Sequence, residues 1–445
     1  MSKKIAVLTT FMELPVAYGL VPVVLNQLHM LVDNGYQPTL IAMEGFSKHA
    51  DVSRIPEGVI VDDCLPFVHF FDYQLGTMKQ THPVDYKGKH EKGKPLTNFD
   101  AQVKKFVEVL EPKLKEFDVV ITHDAVFQTW FVTLNQAIRF IGERNPNIKW
   151  LHWLHSGPSV KPDAPVYPHT LRYNPMKNSW LVSPNDSMKP AFASMYNAPI
   201  KSVKTVYHTF DPMKFFGMHS LSKQMIKKHG LFDCDIVCIW PTRLDAYLPK
   251  GCDHAVHVMA QLNKLCDAKL VFLNSWSNSS AAKNAIVSLR KQAEIWGLPQ
   301  ENLIFSSEEG KEWELGVPQQ VVRDMLNIAE LFILPSETET FSMAMVEAAV
   351  CKCLCILNGT LHVMKELGGD EVLYGLWDVD HSGKRITQTY NPNPMRYWMD
   401  RAKEYYDTIK NNKALMQHRK VLQKFSSKWV FKNQLKPLIE EDDTD

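Results

Sequence analysis

Short apolar runs rich in β-branched residues alternate along this chain with longer stretches whose apolar positions recur at helical spacing. Residues 5–10 are the first such run and predict a buried parallel strand. A loop holding Gly19 follows, then Pro22, which a first helical turn tolerates. Val24, Leu25, Leu28 and Leu31 then fall on one helical face, and Asn34-Gly35 reads as the stop. Residues 39–43 are the next strand. A strand, a helix and a strand in succession imply a parallel, doubly wound sheet covered on both faces.

The alternation continues with strands at 118–122 and 150–154, the first running into His123-Asp124 and the second into His155-Ser156-Gly157. Residues 181–183 and 203–207 are shorter candidates. Between 44 and 105 the periodicity fails, which predicts an irregular insertion, aromatic early (Phe67, Phe70, Phe71, Tyr73) and lysine-rich late. A second series opens at 236–240 and repeats at 270–274, 303–306, 331–334 and 354–357, with helices clearest at 281–296 and 319–328. The expected organisation is an α/β protein of two Rossmann-like domains, 1–210 and 211–410, facing each other across a cleft. A helical, charged tail over 411–445 ends in acidic residues.

Composition narrows the class without naming a function. The chain has 445 residues, 45% of them apolar and 22% charged, which is ordinary globular usage and more than one small domain holds. Fifty Lys and Arg against 49 Asp and Glu leave no global field, so any polyanion site must be a local patch. No window approaches about 18 consecutive apolar residues, and the first ten residues lack a signal-peptide pattern. The eight cysteines form no Cys-x-x-Cys pair. Cys351, Cys353 and Cys355 alternate as small apolar fillers on an expected strand rather than as metal ligands. The expectation is a reduced, soluble, cytoplasmic protein (host cytoplasm if phage-encoded) with no integral membrane contact.

Strand-end polar residues carry the chemistry in such sheets. After 331–334 comes Pro335-Ser336, then Glu337 and Glu339, then a helix expected near Phe341 with Glu347 inside it. Acids in a first turn complement the helix dipole, but Glu347 stands among Met345, Val346, Ala348 and Ala349, where a carboxylate needs a partner. After 236–240 come Arg243 and Lys250-Gly251, two cations before a helix: either a diphosphate receptor or a solvated loop.

Together these residues resemble the family-four retaining glycosyltransferases of the GT-B fold. The resemblance rests on two glutamates with seven residues between them, Glu339 and Glu347, preceded by Pro335-Ser336, and on Arg243 with Lys250-Gly251 upstream. More weakly, Gly19 falls at the family's glycine-rich first loop, His155 at its mid-domain histidine, and 207–211 where the first domain ends. Residues 425–429 resemble the start of the helix that crosses back to that domain. The resemblance implies a nucleotide-sugar donor, a UDP-sugar first among them, on the second domain and no required metal. Arg243 and Lys250 would hold the diphosphate, Glu339 would sit at the sugar with Thr340, Phe341 and Ser342 shaping its pocket, and Glu347 would take the ribose. Gly19 would approach the donor from the first domain, and His155 would bond sugar or acceptor or simply pack between strand ends. The sequence departs from the pattern in a single glycine at the first loop, in the longer Arg243 to Lys250 spacing, in Tyr207-His208-Thr209 for a Pro-Asn-Gly turn, and in Lys352 where a glycine is usual.

For the acceptor, Val21 to Val32 carry no Lys or Arg, unlike a basic membrane-docking helix. Residues 79–105 hold seven lysines, among them Lys87, Lys89, Lys92 and Lys94, against three acids. That excess suits either a phosphate backbone or solvent. His123 is a further acceptor-side candidate, and the leading acceptor is a hydroxymethylated pyrimidine in DNA, flipped out as phage-type enzymes of similar pattern require. Glycan, glycolipid and small-molecule acceptors are the alternatives for a hexosyl- or pentosyltransferase. A sugar-nucleotide epimerase of GT-B shape and a non-catalytic binding module are the alternatives of class.

Overall fold

The computed structural model describes residues 3–15, 18–66, 99–126, 132–155, 175–377 and 394–441. The chain divides into two compact units, residues 1–210 with 425–445, and residues 211–424. Residues 411–424, expected as part of a separate tail, stay with the second unit, and the returning segment that belongs to the first unit starts at Phe425.

Unit 1 is a seven-stranded parallel sheet in the order β3-β2-β1-β4-β5-β6-β7. Its strands are β1 Ile5–Leu8, β2 Thr39–Met43, β3 Ile60–Leu65, β4 Val119–His123, β5 Lys149–Trp153, β6 Ser179–Ser183 and β7 Val203–Thr205. Every residue of β1, β2, β4 and β5 is buried, the two-sided burial that their largely apolar sequences favour, with Lys149, Thr122, His123 and His152 as the buried polar exceptions on β4 and β5. On one face Ala6 and Leu8 meet Val103, Phe106 and Leu110 of the helix Phe99–Leu114. On the other Ile5 and Val7 meet Val24 and Leu28 of the helix Leu20–Asp33, together with Val430, Phe431 and Leu435 of the returning segment. That segment is pinned by polar bonds as well: the Tyr207 amide donates to Gln434 Oε1 at 2.8 Å, and the Tyr36 hydroxyl bonds Glu440.

The stretch 44–105 is not wholly irregular, which corrects the sequence reading. It contributes β3 and the start of the helix Phe99–Leu114. Asp62 and Asp63 interrupt the apolar run of β3, and an edge strand tolerates them because one side of it has no ladder partner.

Unit 2 is a six-stranded parallel sheet in the order β10-β9-β8-β11-β12-β13, the doubly wound order of a dinucleotide-type fold. Its strands are β8 Ile236–Arg243, β9 Ala268–Ser275, β10 Leu303–Phe305, β11 Leu331–Leu334, β12 Leu354–Asn358 and β13 Leu373–Gly375. The fold class is thus α/β, with two Rossmann-like sheets. Because β12 begins at Leu354, only Cys355 of the three alternating cysteines lies on it. Cys351 caps the preceding helix Met343–Val350. A buried Arg419 ties the sheet to the last helix of the unit: its Nε donates to Glu330 Oε1 at 2.8 Å and its Nη groups donate to the carbonyls of Leu231 and Ile328. Glu330 in turn accepts the Val237 amide at 2.9 Å, so the buried charge is fully bonded.

Candidate active site

In both sheets the strand order reverses at the first strand, and crevices at such reversals collect ligands beyond the carboxyl ends. In unit 2 the reversal lies between β8 and β11. The loop after β8 carries Arg243 and Lys250; the loop after β11 carries Glu337 and Glu339. The strand order therefore delivers both motifs to one place.

There they line a cavity of about 400 Å³, with Arg243, Lys250, Glu339, Phe341, Ser342 and Ser275 among its walls. Lys250 Nζ donates to Glu339 Oε1 at 2.6 Å. Arg243 grips Asp245 through two bonds, Nη2 to Oδ2 at 2.6 Å and Nε to Oδ1 at 3.1 Å. That bond, with a smaller contribution from the charge of Arg243, holds the Asp245 carboxyl below the usual carboxylate range. The close approach of the two loops depends on Gly251, which has φ +69° and no room for a Cβ: one built there would stand 2.6 Å from the Pro335 carbonyl oxygen. The Glu337 amide also donates to the Pro249 carbonyl at 2.9 Å. Asn358, at the end of β12, donates to the Ser336 carbonyl at 3.0 Å and braces the glutamate loop from behind.

Ser342 caps the helix Met343–Val350 by accepting from the Met345 amide. Phe341 and Met343 stay exposed at the cavity wall and give it an apolar side. Thr340 is exposed, and neither it nor Glu347 is among the wall residues. Glu347 lies one turn inside the helix, where the Gln319 amide donates to its Oε1 at 2.6 Å, supplying the partner its apolar neighbours lack. Lys352 sits at φ +65° just past the helix. The amides of Lys352 and Cys353 bond back to the carbonyls of Ala349 and Ala348, a left-handed cap that glycine normally fills.

Unit 1 gathers a second cluster at its carboxyl edge. His123 ends β4, His155 follows β5 and His208 follows β7. His123 is buried, with Nε2 2.9 Å from Gln27 Oε1 and Nδ1 2.8 Å from His155 Nε2. In this arrangement His123 Nε2–H donates to Gln27. His123 Nδ1 then accepts from His155 Nε2–H, and His155 keeps a bare lone pair on Nδ1. The rings of His155 and His208 lie 5.2 Å apart. Burial, then the neighbouring His208, pushes His155 down to about 3, and burial, then His155 and His208, holds His123 well below its ordinary value. These rings are neutral hydrogen-bonding groups at neutral pH. What His123 offers a ligand therefore passes through His155.

Gly19 caps the helix Leu20–Asp33 at φ −57° with open space around it, so neither backbone nor packing calls for glycine there. Lys87, Lys89, Lys92 and Lys94 and the aromatic run from Phe67 to Tyr73 lie outside the described residues. Among the described residues no group of three His, Cys, Asp or Glu side chains is placed to hold a metal, and no helix is long and apolar enough to cross a membrane. Sequence reasoning missed Asp245, Gln27, Gln319 and Trp276. Gln27 alone had a signal, as a polar residue on the apolar face of its helix.

No family model matches the chain, and no curated protein does. Among solved structures it is similar to a glycosyltransferase from Rickettsia africae (14% identity, TM-score 0.35, 99% of this chain and 100% of that one). It is also similar to Anabaena Alr3699/HepE in complex with UDP (13%, TM-score 0.32, 96% and 97%). A third is the N-terminal domain of Candida albicans trehalose-6-phosphate phosphatase (14%, TM-score 0.34, 99% and 95%). The fold class rests on the strand order of the two sheets themselves.

Proposed function

We propose that the chain is a retaining glycosyltransferase of GT-B type that takes its donor, a nucleotide sugar, on unit 2. The observation that carries the reading is a cavity at the reversal of the second sheet, which collects Arg243, Lys250 and Glu339. Two cations and a carboxylate beside an apolar wall suit a diphosphate joined to a sugar. Arg243 and Lys250 hold the diphosphate and stabilise the charge that grows on it as the bond from the anomeric carbon to phosphate oxygen breaks. Glu339 bonds sugar hydroxyls and Phe341 and Ser342 wall the sugar, while Glu347, outside that wall and bonded to Gln319, would take the ribose only where the nucleoside reaches past the cavity. The acceptor oxygen bonds the same face of the anomeric carbon and its proton passes to the departing phosphate, so configuration is retained. Unit 1 serves the acceptor, with His155 as a hydrogen-bonding group.

The acceptor we propose is a hydroxymethylated pyrimidine in DNA, on the support of the lysine excess over 79–105. The test is release of free nucleotide from a panel of nucleotide sugars, with and without hydroxymethylated DNA. Release that DNA stimulates, with a sugar's mass added to its nucleosides, is the expected result. Slow release that DNA leaves unchanged moves the acceptor to glycans or lipids. No release from any donor removes the transferase reading.

A further inference from the structure

Bulky side chains avoid left-handed backbone, and large apolar rings avoid water; Trp276 does neither. It has φ +60° and is 56% exposed. It directly follows β9, at the carboxyl end of the sheet where the cavity opens. Its neighbours hold the loop in that shape. The Asn274 side-chain amide donates to Ser307 Oγ at 2.7 Å and also bonds Ser277 Oγ, while the Ser277 amide donates to the Glu314 carbonyl at 2.6 Å. A strained conformation that its surroundings over-determine points to a use for the side chain it presents.

The use is suggested by what lies beside it. Strands β8 and β9 pair Arg243 with Ser275, so the residue after Ser275 stands next to the last residue of β8. The Arg243 guanidinium sits over the Trp276 ring, 5.0 Å from its centre. Arg243 is thus held on two sides, by the indole and by the carboxylate of Asp245. Both Arg243 and Ser275 line the cavity. A flat aromatic surface therefore borders a cation site of the right kind for a diphosphate, with much of its area open to solvent.

We propose that Trp276 is the platform on which the heterocyclic base of a nucleoside diphosphate stacks. This rests on the donor reading above and deepens it, naming the group that separates a nucleotide from a bare diphosphate. Stacking uses the π-face that every base has, so the platform adds affinity for nucleotides as a class and leaves the choice of base to other groups.

The experiment is calorimetric binding of UDP, ADP, GDP and inorganic pyrophosphate to the full chain and to Trp276→Gly and Trp276→Phe. The wild type binds at least one nucleoside diphosphate more tightly than pyrophosphate. Trp276→Gly weakens that nucleotide about tenfold more than it weakens pyrophosphate, whose smaller loss reports the indole's hold on Arg243, while Trp276→Phe keeps most of the nucleotide affinity. Trp276→Gly also melts no lower than the parent, because glycine relieves the left-handed strain, and this separates lost stacking from lost folding. Equal losses for nucleotide and pyrophosphate, or no loss at all, overturn the inference alone. Failure of the wild type to bind any nucleoside diphosphate overturns the donor reading and the inference with it.

Discussion

Replacing Gly251 by alanine tests whether the two motif loops of unit 2 form one site. Two effects add. The residue sits at φ +69°, where a left-handed backbone costs an L-residue about 1–2 kcal/mol. The new Cβ also meets the Pro335 carbonyl oxygen at 2.6 Å, a distance that forces the loops apart, since the obstacle is backbone. Separation breaks the bond from the Glu337 amide to the Pro249 carbonyl, worth about 1 kcal/mol. The expected loss is about 2–4 kcal/mol, and in a unit of this size the melting temperature falls by roughly 4–16 °C. Gly297→Ala is the control: φ is +80° but nothing lies within 4 Å of its Cβ, so it carries the backbone effect without the collision. Because the displaced loop carries Lys250, nucleotide affinity in Gly251→Ala falls about tenfold or more, whereas Gly297→Ala binds as wild type. Differential scanning calorimetry and UDP titration on the three proteins give both numbers. If Gly251→Ala melts within about 1 °C of Gly297→Ala and binds UDP unchanged, the contact at Pro335 does not set the site.

Lys352→Gly puts glycine at φ +65° in a left-handed helix cap and should stabilise unit 2 by about 1 kcal/mol in urea unfolding; a neutral or destabilising result refutes the strain at that cap. Glu339→Gln should abolish transfer with an unchanged melting temperature, and Lys250→Ala should weaken donor binding and slow transfer; activity that survives Glu339→Gln removes Glu339 from the donor site. Acid should destabilise unit 1 in particular. Burial first, then Arg139 for His152 and His208 for His155, pushes both histidines down to about 3 from an ordinary value of 6.5, so below that value the unfolded chain takes up protons that the folded one refuses. Stability is complete above pH 6.5 and falls towards pH 3 by up to ~1.4 kcal/mol per pH unit for each such histidine; a flat profile between pH 6.5 and 4.5, read by urea midpoints, contradicts their burial as neutral rings.

How much of this was legible beforehand follows from the range of the forces involved. Strands β1, β2, β4 and β5 bury both faces, so their apolar runs announce them. Strand β3 was hidden because an edge position lets Asp62 and Asp63 into the run, and β13 because this edge strand ends in Gly375, which reads as a turn. Arg243, Lys250 and Glu339 stood out as charges just beyond strand ends, which the strand order brings together, and Glu347 as a carboxylate among apolar helix neighbours. Their partners did not stand out. Asp245, Gln319 and Gln27 are recognisable only once the chain is folded, and the left-handed backbone of Trp276 has no local sequence mark. Lys352 lies between these cases: an absent glycine was visible, and φ +65° is the reason it matters.

The ion pairs of unit 2 fall into two kinds, and burial separates them. Arg419 and Glu330 are almost fully buried, and the pair is bonded further to the carbonyls of Leu231 and Ile328 and the amide of Val237. Withdrawing either partner would strand a charge in the core, so this pair cannot change partners during a reaction and belongs to the architecture. Lys250 with Glu339 and Arg243 with Asp245 are equally short at 2.6 Å, yet they face a cavity open to solvent. A phosphate bound there, as the donor reading proposes, would compete with those carboxylates for the same donors, and a displaced carboxylate would meet the water of the cavity rather than the core. The folded site therefore holds both cations in place through its own carboxylates and can release them to a more highly charged ligand. It follows that Asp245→Asn should tighten pyrophosphate binding by freeing Arg243, provided the Trp276 ring keeps the guanidinium in position. If binding weakens instead, Asp245 holds Arg243 in place for the phosphate rather than competing with it.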